Sequence, residues 1–233
     1  MQYRRDIDGL RAFAILPVIF YHLDVPFFTG GYVGVDIFFV ISGFLITSIL
    51  LRDLEQGKFS LWNFYERRCR RILPALIFSA LLTCLLGVLI LFPEDIRMMG
   101  RSLIATMLFL SNVLFYRQSG YFDTSAETKP LLHTWSLAIE EQFYVVFPIL
   151  FFIIFSKAHK HILTVLLFLA SFSCIFAIIQ VYFSSAAAFF LMPARAWELL
   201  TGSCIAIFSR VQLGKTGQNW AILYQNSYAL SSM

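Results

Sequence analysis

Charge is what this sequence is shortest of. Only 14% of its 233 residues are Asp, Glu, Lys or Arg, against 59% hydrophobic, with 26 Phe and a mean hydropathy of +0.74. A water-soluble domain of that size cannot hide so much apolar surface, so the composition excludes an ordinary globular enzyme and leaves a polytopic membrane protein. Strict apolar–polar alternation is missing as well; the apolar runs are continuous, which excludes an outer-membrane barrel. The four cysteines, Cys69, Cys84, Cys174 and Cys204, are scattered without a CxxC pair. Neither a disulfide framework nor a zinc site follows, and no metal is expected. Internal repeats are absent, which counts against a transporter, since those often carry inverted repeats. The first apolar run lacks a small-residue cleavage site, and Asp6 and Asp8 sit among its arginines, so it reads as a retained span. The net charge of +4 is too small to point to nucleic acid.

What is there predicts an all-α transmembrane bundle of about seven spans, near 9–27, 32–51, 74–92, 101–116, 133–155, 161–183 and 188–208. Residues 52–73 hold six basic side chains, Arg52, Lys58, Arg67, Arg68, Arg70 and Arg71. With Arg4 and Arg5 they predict a cytoplasmic N-terminus by the bias of Lys and Arg towards inner loops. Leu61, Phe64 and Tyr65 lie opposite the arginines, as on an amphipathic helix at the inner face. Pro74 suits the first turn of the third span. Residues 117–140 could be re-entrant, and 210–233 form a polar tail that reads as disordered or aberrant.

Several polar groups stand where lipid would want none. Arg11 and His22 are eleven residues apart. That is about 16 Å of helix and returns to nearly the same face. Asp8 joins their stripe. A charge in a membrane helix costs about 2.5–3.5 kcal/mol on insertion scales, so such groups usually face a polar interior. In HTWSLAIEEQFY, His133, Ser136, Glu140 and Tyr144 share one face, with Glu141 and Gln142 beside them. Three groups on one helix face rarely reach the geometry of a Ser–His–Glu triad. Arg67, Arg68, Arg70 and Arg71 form two Arg-x-x-Arg pairs; guanidinium clusters suit phosphate, though a topology anchor is the plainer reading. Asp36 opens the second span. Ser42 and Gly43 suit close helix packing. Arg195 and Glu198 are spaced to pair, with Gly202 one turn on.

These patterns occur together and in order: Arg11-x10-His22, FFVISGF over Phe38–Phe44, the Arg67–Arg71 pairs, WSLAIEEQFY over Trp135–Tyr144, and Glu198-x3-Gly202. In this the sequence resembles the acyltransferase-3 membrane family, which includes O-antigen and other surface-polysaccharide O-acetyltransferases, over about residues 1–205. The resemblance implies an enzyme of the bacterial inner membrane, with no bound cofactor. It takes an acyl group from cytoplasmic acyl-CoA, acetyl-CoA above all, and passes it to a hydroxyl of a glycan such as lipopolysaccharide. It also implies ten or so spans and, in some members, an appended SGNH domain that is not found here. Residues 1–209 are therefore expected to be the N-terminal part of the family domain. His22, Arg11, Glu140 and Glu141 are the expected catalytic residues, with His22 as base or acyl carrier. Arg67, Arg68, Arg70 and Arg71 are the expected donor site. Asp8, Asp36, Ser42, Gly43, His133, Trp135, Ser136, Tyr144, Arg195, Glu198 and Gly202 are expected to line or brace the pocket. The competing readings are a proton-coupled transporter and a truncated non-catalytic membrane protein.

Overall fold

The computed structural model describes residues 5–119 and 129–230, with side chains from 6 to 212 outside the gap. Regular structure among them is helical: α1 (Arg5–His22), α2 (Gly34–Glu55), α3 (Leu61–Ile90), α4 (Pro93–Met107), α5 (Ser111–Gln118), α6 (Thr134–Ala158), α7 (Ile162–Phe183), α8 (Ser185–Phe190) and α9 (Met192–Leu230). Three stretches, Gly31–Glu55, Leu61–Ile90 and Thr134–Phe183, are long and apolar enough to cross a membrane. The third is two helices, α6 and α7, joined by the short 3-10 turn His159–His161.

The bundle is built on α2. Gly34 sits against Ala14 and Val18 while Ile41 packs with Ile7, so α1 runs antiparallel to it. On its other side α9 runs parallel: Asp36 meets Arg195, Gly43 meets Leu199, and Glu55 pairs with Arg210 at 2.8 Å. The α2–α9 crossing is close because both helices present glycine. A Cβ on Gly43 would stand 1.8 Å from the Leu199 carbonyl oxygen, and one on Gly202 would stand 1.9 Å from that of Val40. Small residues are the usual device for such contact in membranes, where no hydrophobic force drives helices together. A core of Phe39, Ile46, Leu50, Phe147 and Phe151 fills the space beside α6.

Several boundaries differ from expectation. The first helix stops at His22, five residues before the expected end of its span, and the turn that follows holds Asp24 and Phe27 at positive φ. α3 starts at Leu61, where the Ser60 hydroxyl accepts from the Asn63 amide, so Pro74 lies inside it rather than in its first turn. The arginine-bearing segment is thus the first turns of one continuous 30-residue helix, not a separate helix on the surface. Polar side chains and neighbouring helices re-satisfy backbone groups freed by proline in membrane helices, which makes the interior Pro74 tolerable. The expected fourth span, 101–116, is broken: α4 ends at Met107, Phe109 has φ 53°, and α5 starts at Ser111. The α9 backbone continues helical past Phe208 through the segment read as a polar tail.

Candidate functional site

Two polar clusters sit in the described part of the bundle, and α1 and α6 link them. The first gathers around Glu140 and Glu141, two turns into α6. Glu140 is buried, and the Ser42 hydroxyl from α2, the Arg68 guanidinium from α3 and the Arg11 guanidinium from α1 all act on its carboxyl. Arg68 is half-buried, with its guanidinium 4.7 Å over the ring of Tyr144. One oxygen on each acid, Glu140 Oε1 and Glu141 Oε1, is buried without a hydrogen-bond donor, and Arg11 Nε–H is buried without an acceptor. Buried polar atoms are rarely left so, and carboxylate oxygens here can accept bonds from an incoming group. Arg68, Glu141, Gln142 and Tyr144 line a cavity of about 280 Å³.

The second cluster lies eleven residues along α1 from Arg11, about 16 Å away. There the rings of His22 and His133 meet edge-on, with centroids 4.5 Å apart. His22 Nδ1 is 2.7 Å from the Val18 carbonyl oxygen. A carbonyl only accepts, so Nδ1 carries the proton, and a neutral His22 presents the lone pair of Nε2. Both histidines open onto a cavity of about 560 Å³, walled by Tyr21, Tyr32, Trp135, Phe189 and Arg195.

The helix segments that supply these groups are braced by polar contacts. Arg195 donates to Asp36 at 2.9 Å and Glu198 at 2.6 Å, with its guanidinium 5.1 Å from the Phe189 ring centroid. Glu198 is 1% exposed, and its other oxygen has no donor. At the α4–α5 break, Gln142 donates to the Phe109 carbonyl at 2.9 Å and to Asn112 Oδ1 at 2.8 Å. Asn112 in turn donates to the Phe190 carbonyl at 3.0 Å. Ser111 bonds the Thr134 carbonyl at 2.9 Å, and Thr106 meets the Thr134 hydroxyl at 3.0 Å. Non-helical backbone at membrane depth needs such satisfaction, and α6 supplies it.

The sequence-derived candidates divide accordingly. Arg11, Ser42, Arg68, Glu140, Glu141 and Tyr144 come together; His22, His133, Trp135, Ser136 and Arg195 line the other cavity. The four arginines do not form one site. Arg67 pairs with Asp53 at 3.0 Å and Arg70 with Glu66 at 2.7 Å, both on the exposed side, and Arg71 is exposed. Asp8 lies 3.8 Å from Arg11. The Ser136 hydroxyl donates to the His133 carbonyl at 3.2 Å, a bond within its own chain segment rather than part of a triad. Gly43 and Gly202 serve packing. Asn112, Tyr21 and Tyr32 escaped the sequence reading. Asn112 had a signal, since a primary amide in an otherwise apolar span needs partners.

The family model described as "Acyltransferase domain" matches residues 4–224. The "O-acetyltransferase OatA" of Staphylococcus aureus (strain NCTC 8325 / PS 47) is 37% identical over 211 residues, covering 89% of this chain and 35% of that protein. The "Peptidoglycan O-acetyltransferase OatA" of Listeria monocytogenes serovar 1/2a is 36% identical over 218 residues, covering 88% of this chain and 34% of that protein. The chain therefore spans about a third of the length of these relatives. No solved structure matches.

Proposed function

We propose a function from one premise: the chain belongs to the Acyltransferase domain family. On that premise it is the membrane-embedded transfer domain of an O-acetyltransferase. It moves an acetyl group from cytoplasmic acetyl-CoA to a hydroxyl of a cell-surface glycan. The Listeria relative carries peptidoglycan in its name, which makes peptidoglycan a nearer acceptor class than O-antigen or lipopolysaccharide. The donor enters at the Arg68 cluster, where a guanidinium fork suits a phosphate and Glu141, Gln142 and Tyr144 complete the cavity wall. The acceptor occupies the aromatic-walled cavity, where flat rings can stack on a sugar face.

The observation that carries this reading is the state of His22. Its Nδ1 proton is held by Val18, Nε2 has no hydrogen-bond partner among the described residues, and the ring lines the acceptor cavity. Nε2 takes the acceptor hydroxyl's proton as the oxygen attacks the thioester carbon. The C–S bond then breaks, and the thiolate leaves and is protonated to free thiol. General-base help of this kind is worth about 10²–10⁴ in rate. Arg11, paired with Asp8 at 3.8 Å, carries positive charge on the stripe that leads from His22.

His22→Ala and His22→Gln are both expected to lower transfer of radiolabelled acetyl from acetyl-CoA into membrane glycan by at least about 10²-fold at matched membrane abundance. Near-normal transfer by either variant ends the base and acyl-carrier roles together. The proposed orientation puts residues 52–73 in the cytoplasm of a bacterium, on the strength of their basic side chains. An impermeant thiol reagent should leave Lys58→Cys unlabelled in intact cells; ready labelling would reverse the orientation.

A further inference from the structure

We propose that the cleft between the two arms of the broken pair α4–α5 binds one anionic phospholipid, with its phosphate between Arg101 and Arg117. The break sets the shape. Arg101 stands seven residues before Leu108, and Arg117 stands seven residues after Leu110. That is about 10 Å up each arm from the turn at 108–110. Both arginines line a single cleft of about 320 Å³, whose remaining wall is Ile104, Ala105, Leu108, Leu110, Val113 and Leu114. The volume is at the lower end of ordinary ligand pockets, about 300–1,000 Å³, enough for a headgroup and the start of one acyl chain.

Neither guanidinium has an ion pair or hydrogen bond among the described residues; Arg97, one turn before Arg101, has none either but lies outside the cleft lining. Two guanidiniums on one cleft otherwise walled by leucine, isoleucine and valine, with no acidic partner among the described residues, are costly beside lipid. One phosphate in the cleft supplies the counter-charge, through charge-assisted bonds to a group whose geometry matches the fork. The apolar wall argues for a phosphate that carries a hydrocarbon tail, not for free phosphate. Ile104 and Leu108, 64% and 62% exposed, face outward, where a bilayer lipid reaches them without entering the bundle.

The cleft also touches the candidate site. Leu108 and Leu110 line it on one side and the Arg68–Glu141 cavity on the other. A bound lipid therefore props the turn that Gln142 holds from α6.

The test is native mass spectrometry of the full chain released from detergent micelles containing phosphatidylglycerol. One retained phosphatidylglycerol per chain is expected, with the bound fraction falling about tenfold in the double variant Arg101→Gln/Arg117→Gln. Arg101→Lys/Arg117→Lys should retain part of it. Val113→Trp, which fills the cleft and leaves both arginines, should lower it as well. Arg97→Gln, an exposed arginine on α4 outside the cleft lining, should leave it unchanged. Phosphatidylcholine, whose phosphate is neutralised by choline, should bind several-fold more weakly. The proposal is overturned if the double glutamine variant retains the lipid fully or if Arg97→Gln loses it equally, which is diffuse charge attraction. It is also overturned if Val113→Trp has no effect, or if millimolar inorganic phosphate displaces the lipid, which marks a free-phosphate site.

Discussion

A single methyl group at Gly202 should test the α2–α9 crossing. The added Cβ of Gly202→Ala would fall 1.9 Å from the Val40 carbonyl oxygen and 2.7 Å from the Phe44 amide nitrogen, where ordinary contact begins near 3.4 Å. Both obstacles are backbone of a packed helix, so neither can swing aside as a side chain would. The helices must separate by about 1.5 Å, and overpacking of this kind costs about 1–3 kcal/mol, at the upper end when backbone meets backbone. For a chain of 150–250 residues, a loss near 3 kcal/mol lowers the melting temperature by about 6–12 °C. The shift also moves Glu198, one turn before Gly202, away from Asp36 on the other helix. A misplacement of about 1 Å can reduce a reaction by 10²-fold. The assay is thermal unfolding of purified protein in one detergent, followed by size-exclusion recovery. Gly100→Ala is the control, because nothing lies within 4 Å of its added Cβ and alanine is the better helix former by about 1 kcal/mol. If Gly202→Ala melts with the wild type, or if Gly100→Ala is the more damaging of the two, the close crossing is refuted.

Arg195→Met should destabilise by about 3–5 kcal/mol, because Asp36 and the buried Glu198 lose their shared cation. Adding Asp36→Asn and Glu198→Gln should recover much of that loss; a triple variant no more stable than Arg195→Met in the same melt would show that the ion cluster is not the cause. For the donor, Arg68→Gln should raise the KM for acetyl-CoA at least several-fold, while Arg70→Gln, whose partner Glu66 is on the exposed side, should leave it unchanged. Equal effects from both would return the cluster to a topology anchor.

Helix periodicity showed which residues share a face, but not what lies opposite. The Arg11–His22 stripe and the His133–Tyr144 face were legible because each lies within one helix. That the two stripes meet, with His22 against His133, depends on α1 and α6 both packing on α2. The Arg195–Glu198 pair was legible from its spacing; Asp36 as their third member, 159 residues from Arg195, was not. The arginine pairs spaced to share a face were separated by local acids, because Asp53 and Glu66 lie within reach of Arg67 and Arg70 while Arg68 turns inward onto Tyr144. The α4–α5 break had no proline or glycine at the turn to mark it. Its determinants are Gln142 and Thr134, on a helix that comes later in the chain.

The parallel pairing of α2 with α9 has a consequence for how the protein is made. The glycine face of α2 leaves the ribosome long before its partner, since Asp36 and Arg195 are separated by 159 residues. At about 5–20 residues per second that is a wait of roughly 8–30 s in the membrane. Throughout it, Ser42, Gly43 and Asp36 must be shielded by whatever receives nascent helices. A ribosome stalled before residue 192 leaves α2 with an open groove and an unpaired carboxylate.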